Sequence, residues 1–301
     1  MPSIEENRDV WSGSYDWTNR GDEWSIGWGD VATQWSATLL PRLTPFLPAH
    51  AILEIAPGLG RWSQYLIPLC DDYIGVDLSE SAVKGCKERF SSVTSAQFFV
   101  NDGTSLEMVR DQSVDLAFSF DSLVHVDMGV LGSYCAQLVH KLRQDGVAFI
   151  HHSNLGAIKV SRNPQWAEWR DRSVTAATVA AAAAESGLRC IGQELITWSS
   201  GYMIDCISVL VRADSPLAGP LRRAVNPYFV MEAASATRIA YVYGAADLPA
   251  EMAAGSGVTY PVAGRSRRVN RVGAVRLGPF GFYAIGPWWK AGWRQAGRRP
   301  R

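Results

Sequence analysis

The sequence predicts an α/β fold built on a seven-stranded, mostly parallel sheet with helices on both faces and a terminal antiparallel hairpin. Three observations carry that expectation. Short apolar runs alternate with helix-like stretches from residue 51 to about 212. A glycine turn follows the first run, as doubly wound folds place it. The last two runs lie close together around the turn "SSGY" and read as an antiparallel pair.

In chain order the strand-like runs are "AILEIA" (51–56), "YIGVDL" (73–78), "AQFFV" (96–100), "VDLAFSF" (114–120), "GVAFIHH" (146–152), "RCIGQELITW" (189–198) and "IDCISVLVR" (204–212). Helices are expected over 61–70, 79–90, 104–110 and 129–143, with an Ala-rich stretch at 173–187. Before the sheet, residues 1–45 are rich in tryptophan and read as a cap packing aromatics on the core. The main domain spans 46–233. Residues 234–301 form a Gly-, Arg- and Trp-rich tail with little periodicity, and "NPYFVMEAASATRIAYVYG" at its start reads as one helix or more.

Composition narrows the class. The chain is 47% hydrophobic and 19% charged, enough to bury a large core. Lys+Arg and Asp+Glu each total 29, so no overall field favours a nucleic-acid partner. Positive charge gathers only in the tail, where Trp beside Arg suits peripheral contact with a membrane surface. The five cysteines are scattered and form no CxxC pair, which fits reduced thiols and a cytoplasmic setting. The acidic, polar N-terminus does not read as a secretory signal. No apolar run reaches the roughly 18 residues of a membrane-spanning helix. An assembly of identical chains is compatible with all of this.

The chemistry is written in the turns after the strands. Glu54 ends the first strand, and Ala56, Gly58 and Gly60 let the chain turn sharply and let a ligand approach the backbone. Asp77 closes the second strand, where a carboxylate accepts from ribose hydroxyls. Asn101, Asp102 and Gly103 follow the third strand and can clamp an adenine ring. Phe120 and Asp121 end the fourth. Trp62 and Leu78 belong to the same turns and are placed with this ligand site.

In these motifs, over about residues 40–212, the sequence resembles the class I S-adenosylmethionine-dependent methyltransferases. The resemblance implies a Rossmann-like methyltransferase sheet and S-adenosylmethionine as cofactor. It sets Glu54 and Gly58 at the amino-acid part, Asp77 at the ribose and Asp102 at the adenine. Ala56 departs from the family's usual glycine. The runs "SFDSLVHVD" and "FIHHSNLG", with "YDW…GDEWS…WG" near the start, are similar to methyltransferases that methylate a sugar hydroxyl in polysaccharide biosynthesis. That likeness extends over most of residues 7–233 and implies a sugar or glycan acceptor. A methyltransferase of another small natural product, at oxygen or nitrogen, and a catalytically silent cofactor-binding protein are the alternatives.

Methyl transfer to a hydroxyl needs a base, or a metal that acidifies the hydroxyl. The fourth and fifth strands deliver Asp121, His125, His151 and His152 to one edge. Because strand residues alternate faces, one of His151 and His152 serves, and His152 is favoured as nearer the strand end. A Mg²⁺ site is the second option, with Asp121, His152, Glu194 and Asp205 as ligands, although Mg²⁺ prefers oxygen donors. Trp24, Trp28, Asn154, Trp166 and Arg170 are candidates for stacking on and hydrogen-bonding the acceptor.

Overall fold

A computed structural model describes residues 3–159, 165–198 and 201–234. The basic tail, its expected membrane contact and most of the helix expected at its start lie outside the described residues. In chain order the elements are α1 (Ile4–Asp9), α2 (Val31–Gln34), α3 (Leu40–Leu43), β1 (Ala49–Ile55), α4 (Ser63–Leu66), β2 (Cys70–Asp77), α5 (Glu80–Arg89), β3 (Ala96–Val100), β4 (Val114–Ser119), α6 (Met128–Lys141), β5 (Leu142–Ser153), α7 (Ala176–Glu185), β6 (Leu188–Ile196), β7 (Asp205–Arg212) and β8 (Arg222–Asn226).

Among the described residues one sheet runs in the order β3-β2-β1-β4-β5-β7-β6-β8. Strands β1 to β5 pair in parallel, and β7 pairs antiparallel with both β5 and β6. The central strands read as continuous apolar runs because helices cover both faces of a parallel sheet. Leu53, Ile55, Ala117, Ala148 and Ile150 are buried in one core with Leu131, Tyr134 and Leu138 of α6. Asp127 caps α6 by accepting from the Val130 N–H, and Ser79 caps α5 by accepting from the Ala82 N–H.

Two expectations need correction. The sheet has eight strands, not seven. The additional β8 lies parallel to β6 at the edge, and four of its five residues are exposed, so it carries no apolar alternation to read. Residues 104–110 form turns instead of a helix. Asp102 accepts from the N–H groups of Thr104 and Ser105, and Gln137 accepts from the Leu106 N–H and donates to the Thr104 carbonyl. Those side chains give the backbone partners that a helix would otherwise supply.

The chain divides into two compact units. One comprises the residues up to Gly21 together with Leu43–Phe229, and contains the sheet. The other comprises, among the described residues, Asp22–Arg42 and residues 230–234. In this second unit a 3₁₀ turn (Asp22–Trp28) precedes α2, a π-helical turn (Trp35–Leu39) and α3, and Arg42 forks onto Glu232 at 2.9 and 2.7 Å.

The turn after β1 holds Ala56 at φ 58°, a left-handed conformation that costs an L-residue about 1–2 kcal/mol. Ala56→Gly therefore raises the unfolding free energy by up to about 1 kcal/mol, after allowing for the extra freedom glycine gains in the unfolded chain. Ala56→Val, branched at Cβ, lowers it. Denaturant midpoints of the three proteins check this.

Candidate active site

The strand ends of the first unit converge as the motifs predict. Gly58 and Gly60 adopt φ of 58° and 81°, which glycine tolerates. A Cβ at Gly60 would meet the Phe90 ring at 2.6 Å, so helix and turn approach closely there. Asp77 joins two turns: one carboxylate oxygen accepts from the Gly58 N–H at 2.9 Å and the other from the Ser79 N–H at 2.8 Å. Burial pushes the Asp77 carboxyl up to about 6 despite those bonds. Further donors, such as a pair of ribose hydroxyls, would stabilise its charged form.

After β3, Asp102 is exposed and held below the usual carboxylate range, first by the Thr104 N–H. Its three local bonds fall on Oδ1. Asn101 is structural: its amide donates to the Ser105 carbonyl and Tyr134 hydroxyl and accepts from the Gly103 N–H. Gly103 has φ 96°, and a Cβ there would lie 3.3 Å from Leu78.

Glu54 does not face the ligand side as expected. Its carboxylate accepts from Ser63 Oγ at 2.7 Å and from the Tyr73 hydroxyl, beneath the turn. Burial raises it to about 7. Glu54 thus ties β1 to α4 and β2 and holds the glycine turn from below. Trp62 is likewise buried, edge-on to Phe120 at 5.8 Å.

The N-terminal segment roofs these turns. The Trp17 ring lies 3.0 Å from where a Gly58 Cβ would stand, and Ile4 lies 2.9 Å from the same position at Gly103. Trp17 Nε1 donates to the Trp11 carbonyl, and Tyr15 packs edge-on against Trp17 at 4.7 Å. Asn7 donates to the His125 carbonyl, and Trp11 lies 5.5 Å from the His125 ring.

The three site histidines have fixed tautomers. His152 is buried on the other face of β5 from His151. A carbonyl only accepts, so His152 Nδ1–H donates to the Ser153 carbonyl (2.8 Å), and Nε2 accepts from Ser208 Oγ (2.8 Å). With both nitrogens engaged and burial pushing it down to about 4, His152 is not the base the sequence favoured. His151 Nδ1 accepts from the Asp121 N–H at 3.0 Å, so its proton sits on Nε2, 3.6 Å from Asp205 Oδ2. His151 stacks on Phe120 at 4.5 Å and acts as a strut holding Asp121 at φ 64°. His125 Nδ1–H donates to the Trp169 carbonyl at 3.0 Å, which leaves Nε2 as the ring's acceptor. Burial, reinforced by Arg170, lowers His125 to about 4.

The proposed metal ligands each have another partner. Asp121 pairs with Arg61 at 2.6 Å, Asp205 with Arg170 through two bonds of 2.9 and 2.8 Å, and Glu194 accepts from Asn226. Burial alone would raise Asp205, but Arg170 and His151 together outweigh it and hold the carboxyl below its ordinary range. Among the described residues no three His, Cys, Asp or Glu side chains are grouped to hold a metal.

The acceptor candidates are also redistributed. Arg170 is buried on Asp205, and Asn154 links the Met203 carbonyl to the Ala176 N–H. Trp24 and the buried Trp28 belong to the second unit. Trp166 falls in the 3₁₀ turn Gln165–Trp169, and its side chain lies outside the described residues. Sequence reasoning missed Arg61, which bridges Asp121 and the Gly21 carbonyl (3.2 Å), although its place directly after Gly60 was a usable signal. It read residues 1–45 as an aromatic cap but singled out Trp24 and Trp28 there, because the spacing of Trp11, Tyr15 and Trp17 has no period.

Comparison with known proteins bears on this site. Residues 52–146 match the family model described as "Methyltransferase domain". A phosphoethanolamine N-methyltransferase of Triticum aestivum is 26% identical over 117 residues, 38% of this chain and 23% of that protein. The chain thus spans about a quarter of the length of the curated relatives it matches. Among solved structures, an S-adenosylmethionine-dependent methyltransferase from Clostridium acetobutylicum aligns at 14% identity and a TM-score of 0.47, over 65% of this chain and 95% of that one. A geranyl diphosphate methyltransferase in complex with S-adenosylmethionine aligns at 14% and 0.47, over 60% and 85%.

One consequence concerns pH. Glu54 and Asp77 both have carboxyls raised in the folded state, so between about pH 4 and 7 these two groups bind more protons in the native protein than in the unfolded chain, and the stability they contribute is lost as pH rises. His125 and His152, lowered to about 4, act in the opposite sense between about pH 4 and 6.5. Glu54→Gln removes one contribution, so the stability of the parent relative to this variant falls as pH rises from about 5 to 7 in denaturation curves taken at several pH values.

Proposed function

We propose that the protein is an S-adenosylmethionine-dependent methyltransferase, its residues 52–146 matching a methyltransferase domain, and that it transfers the methyl group to a hydroxyl oxygen of a sugar or glycan, with His125 as the base. The observation that carries this reading is the tautomer of His125. Among the described residues, of the three site histidines it alone keeps a free acceptor nitrogen: both His152 nitrogens are engaged, and His151 already accepts on Nδ1.

The residues present fit the cofactor. Asp77 would take the ribose hydroxyls, Asp102 the adenine side, and the backbone at Gly58 the amino-acid part. The cofactor supplies an activated methyl on a sulfonium, so the protein's own tasks are alignment and one proton. Trp17 and Trp11 cover the glycine turn and the His125 ring, which excludes water from that side. His125 Nε2 would accept the hydroxyl proton during the transfer, in which the O–CH₃ bond forms as the S–CH₃ bond breaks and leaves the neutral thioether. The Trp169 carbonyl, bonded to Nδ1–H, steadies the imidazolium that results. The His151 strut keeps Asp121 paired with Arg61, which fixes the turn preceding His125. The partly exposed rings of Trp11, Tyr15 and Trp17 suit the C–H face of a pyranose.

The same aromatic group would also suit a cationic amine. Together with the phosphoethanolamine N-methyltransferase relative, it supports N-methylation of a small amine as the second reading. S-adenosylhomocysteine formation with neutral glycosides against ethanolamine-type amines separates the two.

The pH profile tests the base. His125 faces Arg170, which disfavours its charge, and Asp121 and Asp205, which favour it more weakly. A base lowered to about 4 is neutral through the physiological range, so kcat/KM stays flat from about pH 5.5 to 8 and falls below about pH 5. His125→Ala lowers kcat by about 10²–10⁴-fold with little change in cofactor affinity. A profile breaking near pH 6.5, or an unimpaired His125→Ala enzyme, contradicts the assignment.

A further inference from the structure

The buried fork between Arg170 and Asp205 has no part in the proton transfer itself. Asp205 opens β7 and is paired with Ser153 of β5 and Ile196 of β6, so the sheet fixes its position from both sides. Arg170 grips both carboxylate oxygens, Nε to Oδ1 at 2.9 Å and a terminal nitrogen to Oδ2 at 2.8 Å, and both side chains are buried. As a source of stability such a pair is weak, because taking two charges out of water offsets most of their attraction. Its two-bond geometry does, however, hold whatever is joined to it.

What is joined to it is one peptide unit. Arg170 directly follows the 3₁₀ turn Gln165–Trp169, so the Trp169 carbonyl and the Arg170 N–H belong to the same planar group. The N–H donates to the Ala167 carbonyl at 3.3 Å, and the Trp169 carbonyl accepts from His125 Nδ1–H at 3.0 Å. A five-residue 3₁₀ turn has poorer hydrogen-bond geometry than an α-helix and is a weak support alone. The fork ties its C-terminal end to the sheet. On the other side of the contact, the His125 backbone is held at both ends: its N–H donates to the Ser122 carbonyl at 3.2 Å, and its carbonyl accepts from Asn7 at 3.1 Å.

We infer that Arg170 and Asp205 are a positioning pair for His125: by fixing the Trp169–Arg170 peptide they keep the ring proton on Nδ1 and leave Nε2 as the acceptor. The chemistry requires this choice. A neutral imidazole carries its proton on either nitrogen, and only the form with Nδ1–H can take a proton at Nε2. A carbonyl can only accept, so it selects that form for as long as it stays in line with the ring. Arg170 acts a second time through its charge. After burial itself, that charge does most to keep the ring neutral, against weaker opposing effects of the Trp169 carbonyl, Asp121 and Asp205. The inference rests on the reading of His125 as the base and adds two residues that act through it.

The test reads the tautomer directly and needs no knowledge of the acceptor. Histidine side-chain ¹H–¹⁵N spectra are recorded on the full-length protein at neutral pH, with the His125 signals assigned from their absence in His125→Ala. One variant combines Arg170→Met with Asp205→Asn, which removes both charges together and keeps an acceptor facing His151. The other, Arg170→Lys, keeps the charge without the fork, and it carries the test alone if the double variant does not fold. In the parent, His125 shows one tautomer, protonated at Nδ1. In the variants its two nitrogens give averaged signals, while S-adenosylhomocysteine affinity stays within about twofold of the parent's. With an active acceptor, kcat falls by about tenfold or more and the KM for cofactor changes little. A parent whose His125 is protonated at Nε2 or mixed overturns the inference, and so does a folded variant that keeps the single Nδ1–H tautomer. Averaged tautomers in the variants, with a parent that forms no S-adenosylhomocysteine from any acceptor, would sink the base reading and leave this one standing.

Discussion

The Asp77 carboxylate is the constraint on which the rest of the site depends. It sits at the C-terminal end of β2 and takes one N–H from the turn after β1 and one from the start of α5. Two neighbouring strand ends are thereby locked at one spacing, and the glycine turn is held open at φ values that only glycine adopts cheaply. The arrangement is strained in charge as well as shape. Burial raises the carboxyl to about 6, so near neutral pH its ionised form is held only by backbone dipoles. A ligand that donated two hydroxyls would relieve that cost, coupling fold stability to ligand binding at one side chain.

Beneath and beside this joint, the polar interior positions groups more than it reacts. Glu54, Tyr73 and Ser63 brace the turn from below. Arg170 and Asp205 form a buried fork, and His151 reaches from beside it to the Asp121 backbone. Removing one member would leave an uncompensated buried charge, worth about 3–5 kcal/mol. The rigidity of that edge leaves His125 as the one site histidine whose acceptor nitrogen is free among the described residues.

Legibility followed how local the cause was. The parallel strands β1 to β5 could be read because doubly covered parallel strands must be apolar throughout. The glycine turn and the Asp77–Ser79 turn could be read because each closes within a few residues. The roles of Glu54, Arg170, Asn154 and His152 could not. Each is decided by a partner far along the chain: Tyr73, Asp205, Met203 and Ser208 respectively. Alternation in β5 correctly put the two histidines on opposite faces, but being nearer the strand end said nothing about which nitrogen was free. The exposed β8 gave no apolar pattern at all.

The most direct test of the account is calorimetric binding of S-adenosylhomocysteine to the purified protein and to its Asp77→Ala variant at pH 7.5. The account predicts one site of micromolar affinity, weakened by about tenfold or more in the variant. Absence of binding to the parent, or equal affinity in the two, would contradict it.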